Sequence, residues 1–331
     1  LDPDESRALA AYVAQLGTDS AAGVDAQALH LAALVPRSGA MRGAADQAVA
    51  AMQAHFARIN AAGGAYGREL RLQAIEFDAA SPELPQALAT LLRERRIFAF
   101  VGSLVGPLPD AWQRELTAHD VPMLANLLPA SLPPTTPWIT HLMPSASEQL
   151  RQAAAGLRQR CGHAHALWLV RTPSAQQEQM AAPLGVPADH VIASPAALPD
   201  GARCVLSMLP PPAHAALRET LRRDHDASWL GSVAMLSGPA PNTTARGLDE
   251  LSIAPQLPAL QAQGLWPTLG DLAARVTVEA LSRSGRDLHP QALRRAVESM
   301  TGYEPLPGVA LQYSPQQRAG LALASHWSST P

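Results

Sequence analysis

From Ala28 onward, short apolar segments alternate with longer amphipathic segments, and this alternation constrains the fold more than any other feature of the chain. Each short segment is nearly continuously apolar, which is typical of a strand buried on both faces of a parallel sheet. Each longer segment places its apolar residues on one face, which predicts a helix packed against that sheet. Strands that alternate with helices over short connections predict an α/β fold with a parallel, doubly wound sheet. The first four predicted strands are Leu29–Val35, Leu70–Phe77, Ile97–Val101 and Val121–Leu124.

The same pattern restarts at Ala146 and predicts a second α/β unit. Two amphipathic helices, Leu269–Ser284 and Pro290–Met300, and a last strand, Val309–Tyr313, follow that unit. The length of 331 residues agrees with two domains, at roughly 150 residues a domain. The predicted elements of the second unit are helices at Ala146–Arg160 and Ala213–Arg223 and strands at Ala166–Val170, His190–Ala193, Val205–Leu209 and Trp229–Val233.

Composition excludes several classes of function. All 25 basic residues are arginine, so a P-loop lysine, a Schiff-base lysine and a lysine general base are excluded. The net charge of −3 gives no general attraction to nucleic acid, and no apolar run reaches the roughly 20 residues of a membrane-spanning helix. No catalytic, metal-binding or cofactor-binding motif is present in the sequence. We therefore predict a protein that is not an enzyme, and that has no cofactor, no resident metal, no nucleic-acid partner and no membrane span.

The two cysteines, Cys161 and Cys204, are predicted to form a disulfide. Each precedes a predicted strand of the second α/β unit, and the matching ends of two strands in one sheet can lie close together. The bond would enclose about 43 residues and contribute on the order of 4 kcal/mol in the chain-entropy model. A metal site at Cys161-Gly-His163-Ala-His165 is the alternative, but no fourth ligand is indicated, which favours a surface loop.

Ligands of doubly wound sheets bind beyond the carboxyl ends of the strands, so the loops at those ends are the first candidates for a binding site. Arg37 in the first loop could bind an anion, helped by the N-terminus of the following helix, or could simply face solvent. Ser103 in the third loop could donate a hydrogen bond to a ligand or cap a turn. The same two roles are open for Asn126, which follows the fourth strand.

Several segments resemble the type I periplasmic binding proteins, the family that includes the branched-chain amino-acid receptors of ABC importers. They are Leu31–Gly39, Arg58–Leu70, Phe100–Ser103, Asp120–Met123, Asp287–Val297 and Gly308–Pro315, of which the part Ile59–Gly67 is the most specific. The resemblance implies two Rossmann-like lobes, joined by three hinge crossings, that close around a small ligand in the cleft. It places lobe one at 28–142 and 252–306, and lobe two at 143–251 and 307–331, after an N-terminal helix and linker at 1–27.

The resemblance also implies which residues bind the ligand. Amino-acid-binding members of the family usually carry hydroxyl side chains near the places where this chain has Val105, Gly106 and Pro129. Without those donors, the charged ends of an α-amino acid have few partners. We expect instead an apolar or aromatic small molecule, or a carboxylate bound by an arginine. The implied ligand-binding residues are Arg37, Ser38, Ser103, Leu104, Val105, Asn126 and Leu127 in lobe one, and Arg171, Thr172, Ser174, Pro210 and Val233 in lobe two.

The family resemblance implies a periplasmic protein whose partner is an ABC permease. The chain begins with an acidic, polar segment rather than a signal peptide, as a mature secreted protein would. Residues 1–16 are also similar to the C-terminal helix of small c-type cytochromes, although they lack the haem-binding Cys-x-x-Cys-His. The alternative function is therefore a ligand-sensing or structural module attached to a periplasmic cytochrome or dehydrogenase system.

Overall fold

The computed structural model describes residues 2, 21–39, 41–78, 84–94, 96–106, 110–162, 164–224, 228–238, 247–257 and 264–328. These residues form two compact units. Unit 1 contains the described residues up to Leu128, Pro134–Leu142 and those between Pro258 and Gly320. Unit 2 contains Pro129–Pro133, the described part of Met143–Leu257 and the described residues from Leu321 onward. The cytochrome-like segment, apart from Asp2, lies outside the described residues.

Unit 1 is built on a five-stranded parallel sheet with the strand order β2-β1-β3-β4-β5. Its strands are β1 (Ala28–Pro36), β2 (Glu69–Phe77), β3 (Ala99–Val101), β4 (Met123–Asn126) and β5 (Ile139–His141). The helices between the first four strands are α1 (Arg42–Ala61), α2 (Leu84–Arg93) and α3 (Asp110–Ala118).

The central strand β1 shows why this sequence forms a sheet covered on both faces. Ala32 and Leu34 pack with Trp112 and Leu116 of α3 and with apolar residues of α2. The alternate residues Leu31 and Ala33 are equally buried, because successive side chains of a strand point to opposite faces. A strand buried on both faces needs the continuous apolar run that the sequence has there.

Unit 2 is built on a six-stranded sheet with the strand order β13-β10-β9-β8-β6-β7, which is parallel except for the antiparallel edge strand β13. Its strands are β6 (Leu167–Val170), β7 (Val191–Ile192), β8 (Cys204–Ser207), β9 (Ser228–Val233), β10 (Leu248–Pro255) and β13 (Leu323–Ser328). Its helices are α4 (Ala146–Cys161), α5 (Ala175–Ala181), α6 (Pro211–Asp224) and the short α7 (Ala234–Ser237). Leu169 and Leu206 pack on the face covered by α4, whereas Val170 and Val205 pack on the face covered by α6.

The C-terminal part of the chain returns to unit 1 for longer than the sequence predicted. Helices α8 (Leu265–Ser284) and α9 (Pro290–Glu298) precede a two-stranded antiparallel sheet of β11 (Tyr303–Leu306) and β12 (Val309–Leu311). The predicted last strand is therefore one arm of this hairpin in unit 1, and residues 307–320 stay in that unit. The fully buried Tyr313 holds them there, because its hydroxyl donates to the carbonyl of His141 at 3.1 Å.

The second passage between the main segments of the two units also lies at another position than the one expected from the resemblance. It follows Leu257 rather than residue 251, because β10 runs through to Pro255 and is paired with β9 and β13 on its two sides. Neither β10 nor β13 was among the strands predicted from the sequence. The first passage between the main segments of the two units follows Leu142.

Cys161 and Cys204 form the predicted disulfide, with their Cα atoms 6.0 Å apart. Cys161 ends α4 and Cys204 begins β8, so the bond joins a helix to a central strand of the sheet in unit 2. Cys161 is therefore not a metal ligand, and no group of three potential metal-ligating His, Cys, Asp or Glu side chains occurs in the described parts of the chain. Among the helices that the structure describes, none has the length and apolar character needed to cross a membrane.

Candidate functional site

Strand order brings the predicted binding loops of unit 1 to one edge of its sheet. Strands β1, β3 and β4 are adjacent and parallel, so their carboxyl ends lie at the same edge, which we call edge 1. The loops that leave these ends begin with Arg37, Gly102 and Leu127. Of the seven residues predicted in lobe one, Asn126 is the last residue of β4, and the other six follow one of these three strands.

The β3 loop folds back into unit 1 rather than outward. The Leu34 N–H donates to Ser103 Oγ at 3.0 Å, and the Leu104 N–H donates to the Leu34 carbonyl at 2.9 Å. Leu104 and Val105 are almost completely buried, and Val105 belongs to the core beneath α3. Ser103, Leu104 and Val105 were predicted to bind the ligand, and each therefore has a structural role within unit 1. The hydrogen bond that the Ser103 hydroxyl accepts links β1 to the loop that follows β3.

Arg37 and Ser38 are exposed at edge 1. The backbone of Arg37 is fixed, because its N–H donates to the Phe77 carbonyl at 2.9 Å. The nearby guanidinium of Arg42 is neutralised by ion pairs with Glu76 and Asp46. Among the described residues, the Arg37 guanidinium has no acidic partner, so its charge is available to an anion.

Asn126 is the most unusual polar residue of edge 1. It is completely buried, and neither its amide nitrogen nor its amide oxygen has a hydrogen-bond partner in the described structure. A buried amide without partners carries a desolvation cost of about 1–3 kcal/mol, so such groups are normally satisfied by a ligand or an ordered water. The adjacent residue, Ala125, has a φ of 52°, a strained value for a residue with a Cβ. Strain of this kind is concentrated at binding sites.

The corresponding edge of the sheet in unit 2, which we call edge 2, carries Arg171, Thr172 and Ser174 directly after β6. Arg171 and Thr172 are partly buried, whereas Ser174 is exposed. The Ser174 hydroxyl caps α5 by accepting from the Gln177 N–H at 3.2 Å. Pro210 follows β8 and is exposed, whereas Val233 ends β9 and is completely buried in the core.

Gln177 connects two loops of edge 2 and was not predicted from the sequence. Its side-chain oxygen accepts from the Thr172 N–H at 2.8 Å, and its amide nitrogen donates to the Met208 carbonyl at 3.1 Å. The amide thus fixes the β6 loop against the β8 loop. Its only signal in the sequence is its position in the first turn of a helix that follows a strand.

Other buried polar groups of unit 2 were also missed. Ser131 Oγ, Gln149 Oε1 and Ser237 Oγ are buried and unpartnered in the described structure. His214 in the first turn of α6 lies 2.9 Å from Ser207 Oγ through its Nδ1 atom. Burial, assisted by the positive charge of Arg218, lowers the pKa of His214 to about 4, so the ring is neutral near pH 7. Residues of these types are common in any sequence, and only the fold shows which of them are buried.

Neither edge has an acidic residue in the loops that directly follow the strands named above. The segments 37–39, 102–106 and 127–133 in unit 1, and 171–174, 208–210 and 234–238 in unit 2, contain arginine, serine and threonine but no Asp or Glu. An ammonium group bound by these six segments would be limited to carbonyl and hydroxyl acceptors. A carboxylate could be bound by Arg37 or Arg171.

Residues 28–185 match the family model of the periplasmic binding proteins. The fold is similar to that of a putative branched-chain amino acid ABC transporter protein from Rhodospirillum rubrum, with a TM-score of 0.66 and 15% identity over 90% of this chain and 96% of that one. It is also similar to a fatty acid ABC transporter substrate-binding protein from Thermomonospora curvata, with a TM-score of 0.63 and 15% identity over 94% and 95%. A substrate-binding protein from Desulfitobacterium hafniense in complex with Leu has a TM-score of 0.60 and 14% identity over 90% and 97%. Comparison with curated protein sequences gives no match.

The chain forms two α/β units, each built on a largely parallel sheet covered by helices, and it passes three times between their main segments. At 13–18% identity, the structural likeness establishes the fold. It agrees with the resemblance seen in the sequence: the chain has the fold of the type I periplasmic binding proteins, and its residues 28–185 match the periplasmic binding protein family model.

Proposed function

We propose that this protein is a periplasmic solute-binding protein of an ABC importer, and that its ligand is an apolar or aromatic molecule or a carboxylate rather than an α-amino acid. The family match over residues 28–185 supports the general role. Among the neighbours in structure, one is a fatty acid ABC transporter substrate-binding protein and another is in complex with Leu, so the fold is compatible with more than one class of ligand.

The observation that carries the ligand proposal is the charge pattern of the two edges. Each edge offers an arginine, and the loops that directly follow β1, β3, β4, β6, β8 and β9 contain no carboxylate. Asp78, which follows the outer strand β2, already has an interaction partner of its own. In the β3 loop, the Ser103 hydroxyl already accepts a hydrogen bond from the Leu34 N–H of β1. The buried amide of Asn126 can both donate and accept, which suits a carboxyl, carboxamide or hydroxyl group.

Calorimetric titration of the full chain with leucine and with benzoate tests this proposal. We expect benzoate to bind and leucine to bind at least tenfold more weakly, because the leucine ammonium would be desolvated without an ionic partner. Arg171→Gln should weaken benzoate binding roughly 10- to 100-fold, as expected for the loss of a charge-assisted hydrogen bond of about 1.5–3 kcal/mol. Arg222→Gln, an exposed arginine on α6 that pairs with Glu219, is the matched control and should leave binding unchanged.

Micromolar or tighter binding of leucine would contradict the ligand proposal while leaving the general role of solute binding intact. The absence of binding for a broad set of small molecules, measured by thermal shift, would argue against solute binding itself. A ligand at about 100 times its dissociation constant should stabilise the protein by about 2.7 kcal/mol, which such a measurement detects.

A further inference from the structure

A cavity lies at the edge of the unit 2 sheet that is opposite to edge 2. It is formed by the segments that enter β6 and β8, at residues 164–168 and 199–203, and has a volume of about 270 Å³. These segments lead to the amino ends of the two strands, whereas the ligand of this fold class is expected at the carboxyl ends. The cavity is therefore separate from the residues assigned to the proposed function.

The disulfide joins the chain close to the two walls of this cavity. Cys161 lies three residues before the first wall, and Cys204 directly follows the second. The second wall is further held by a turn in which the Ala202 N–H donates to the Pro199 carbonyl at 3.0 Å, and by the Trp229 N–H, which donates to the Arg203 carbonyl at 2.7 Å. A cavity whose walls are fixed before binding loses little conformational entropy when a ligand enters.

Planar side chains line the cavity and are themselves held by ring contacts. Trp168 stacks against His190 with the ring centroids 4.5 Å apart, and His165 packs against Trp229 at 5.5 Å. Trp168 and His165 both line the cavity. Flat, fixed rings of this kind favour a flat, aromatic ligand, which stacks in an offset or edge-on arrangement.

Two opposite charges stand at the same cavity. Asp200 and Arg203 both line it and are both exposed, and within the described residues neither side chain makes an ion pair or hydrogen bond. The Arg203 guanidinium suits a carboxylate, which it can bind through two parallel hydrogen bonds. The Asp200 carboxylate suits an N–H donor or an ammonium group.

We propose that this cavity, lined by His165, Trp168, Asp200 and Arg203, is a second binding site for a small aromatic molecule that carries both a carboxylate and an amino or ring N–H group. Its volume lies just below the usual range of about 300–1,000 Å³ for ligand pockets, which limits the ligand to one or two rings. The site is a ligand position separate from edge 2, and the Cys161–Cys204 disulfide lies next to it.

NMR titration of the full chain with 2-aminobenzoate, followed at the indole N–H of Trp168, tests the proposal. The resonance is assigned with Trp168→Phe. We expect saturable shifts with a dissociation constant below about 1 mM, and an increase of at least tenfold in both Arg203→Gln and Asp200→Asn. Arg171→Gln, at edge 2, should leave this titration unchanged, which separates this site from the site of the proposed function.

Reduction of the disulfide provides an independent readout. With thiol reductant, and with the near-ultraviolet circular dichroism showing that the protein is still folded, we expect the dissociation constant for 2-aminobenzoate to increase at least threefold, because the two walls are no longer joined. Shifts that do not saturate by 10 mM, or that are unaffected by both Arg203→Gln and Asp200→Asn, would overturn the proposal. Loss of the shifts in Arg171→Gln would assign them to edge 2 and would overturn it equally.

Discussion

Ala125 shows how the fold can hold a single residue in an unfavourable backbone conformation at edge 1. Its φ of 52° lies in the left-handed region, where a Cβ is unfavourable. The conformation is held because the Ala125 N–H donates to Thr140 Oγ at 3.1 Å and the following residues bond to the ends of β3 and β5. The surrounding hydrogen bonds thus maintain a backbone geometry that Ala125 would not adopt by itself.

Ala125→Gly should change the stability of the protein by less than about 1 kcal/mol. Glycine removes a strain of roughly 1–2 kcal/mol, whereas the greater entropy of the unfolded chain and the loss of a completely buried methyl group, worth about 0.8 kcal/mol, offset most of that gain. Ala50→Gly, at an exposed position within α1, is the matched control and should destabilise by about 1 kcal/mol. Urea denaturation of both variants measures the difference, and a loss of stability in Ala125→Gly equal to that in Ala50→Gly would show that residue 125 is not strained.

At the scale of elements, α1 and α8 approach so closely in unit 1 that only glycine fits at their contact. A Cβ on Gly270 of α8 would lie 2.3 Å from the backbone carbonyl oxygen of Ala48 in α1. Because that atom belongs to a helix backbone, the helices themselves would have to move apart. Gly270 is therefore a packing residue, and its sequence position inside a predicted helix gave no sign of the partner.

Gly270→Ala should destabilise the protein by about 1–2 kcal/mol, since overpacking costs about 1–3 kcal/mol and the better helix propensity of alanine returns up to about 1 kcal/mol. Gly43→Ala in α1 provides the contrast, because a Cβ there has no heavy atom within 4 Å. That variant should be neutral or more stable by up to about 1 kcal/mol. Thermal unfolding of both proteins checks the prediction, and equal effects of the two substitutions would contradict the close approach.

At the scale of the whole molecule, each unit contains a histidine that is buried in its neutral form. His141 in unit 1 places its Nδ1 atom 2.8 Å from the Leu128 carbonyl, and burial lowers its pKa to about 4. His214 in unit 2 has a pKa lowered to about 4, again mainly by burial. Because a free histidine has a pKa of about 6.5, the unfolded chain binds more protons than the folded protein between these values.

The free energy of unfolding should therefore fall as the pH is lowered from about 6.5 to about 4, and the fall due to His141 should be at most about 1.4 kcal/mol for each pH unit. His141→Gln keeps a donor for the Leu128 carbonyl and should reduce this pH dependence. His326→Gln, at an exposed position on β13, should leave it unchanged. Chemical denaturation at pH 7.0, 5.5 and 4.5 measures the slopes, and identical slopes for the two variants would contradict the assignment.

The sequence by itself determined the α/β class, the order of most strands and helices, and the pairing of the two cysteines. Each depends on a local rule: an apolar run is buried on both faces, an amphipathic segment covers a sheet, and strand ends meet in a predictable way. Even so, β10 and β13 were missed, since Leu248–Pro255 contains two acidic residues and Leu323–Ser328 is a half-exposed edge strand. Glu250 is tolerated within β10 because Arg218 pairs with it.

Only the tertiary structure decided what the candidate site residues do. The sequence placed Ser103, Val105 and Asn126 at one edge correctly, but it could not show that Ser103 Oγ accepts a bond from β1, that Val105 is a core residue, or that the Asn126 amide is buried without a partner. The passage of residues 307–320 through unit 1 and the role of Gln177 were equally hidden. The physical reason is that hydrogen bonds and burial depend on neighbours distant in the chain, whereas periodicity records only which face of a local element avoids water.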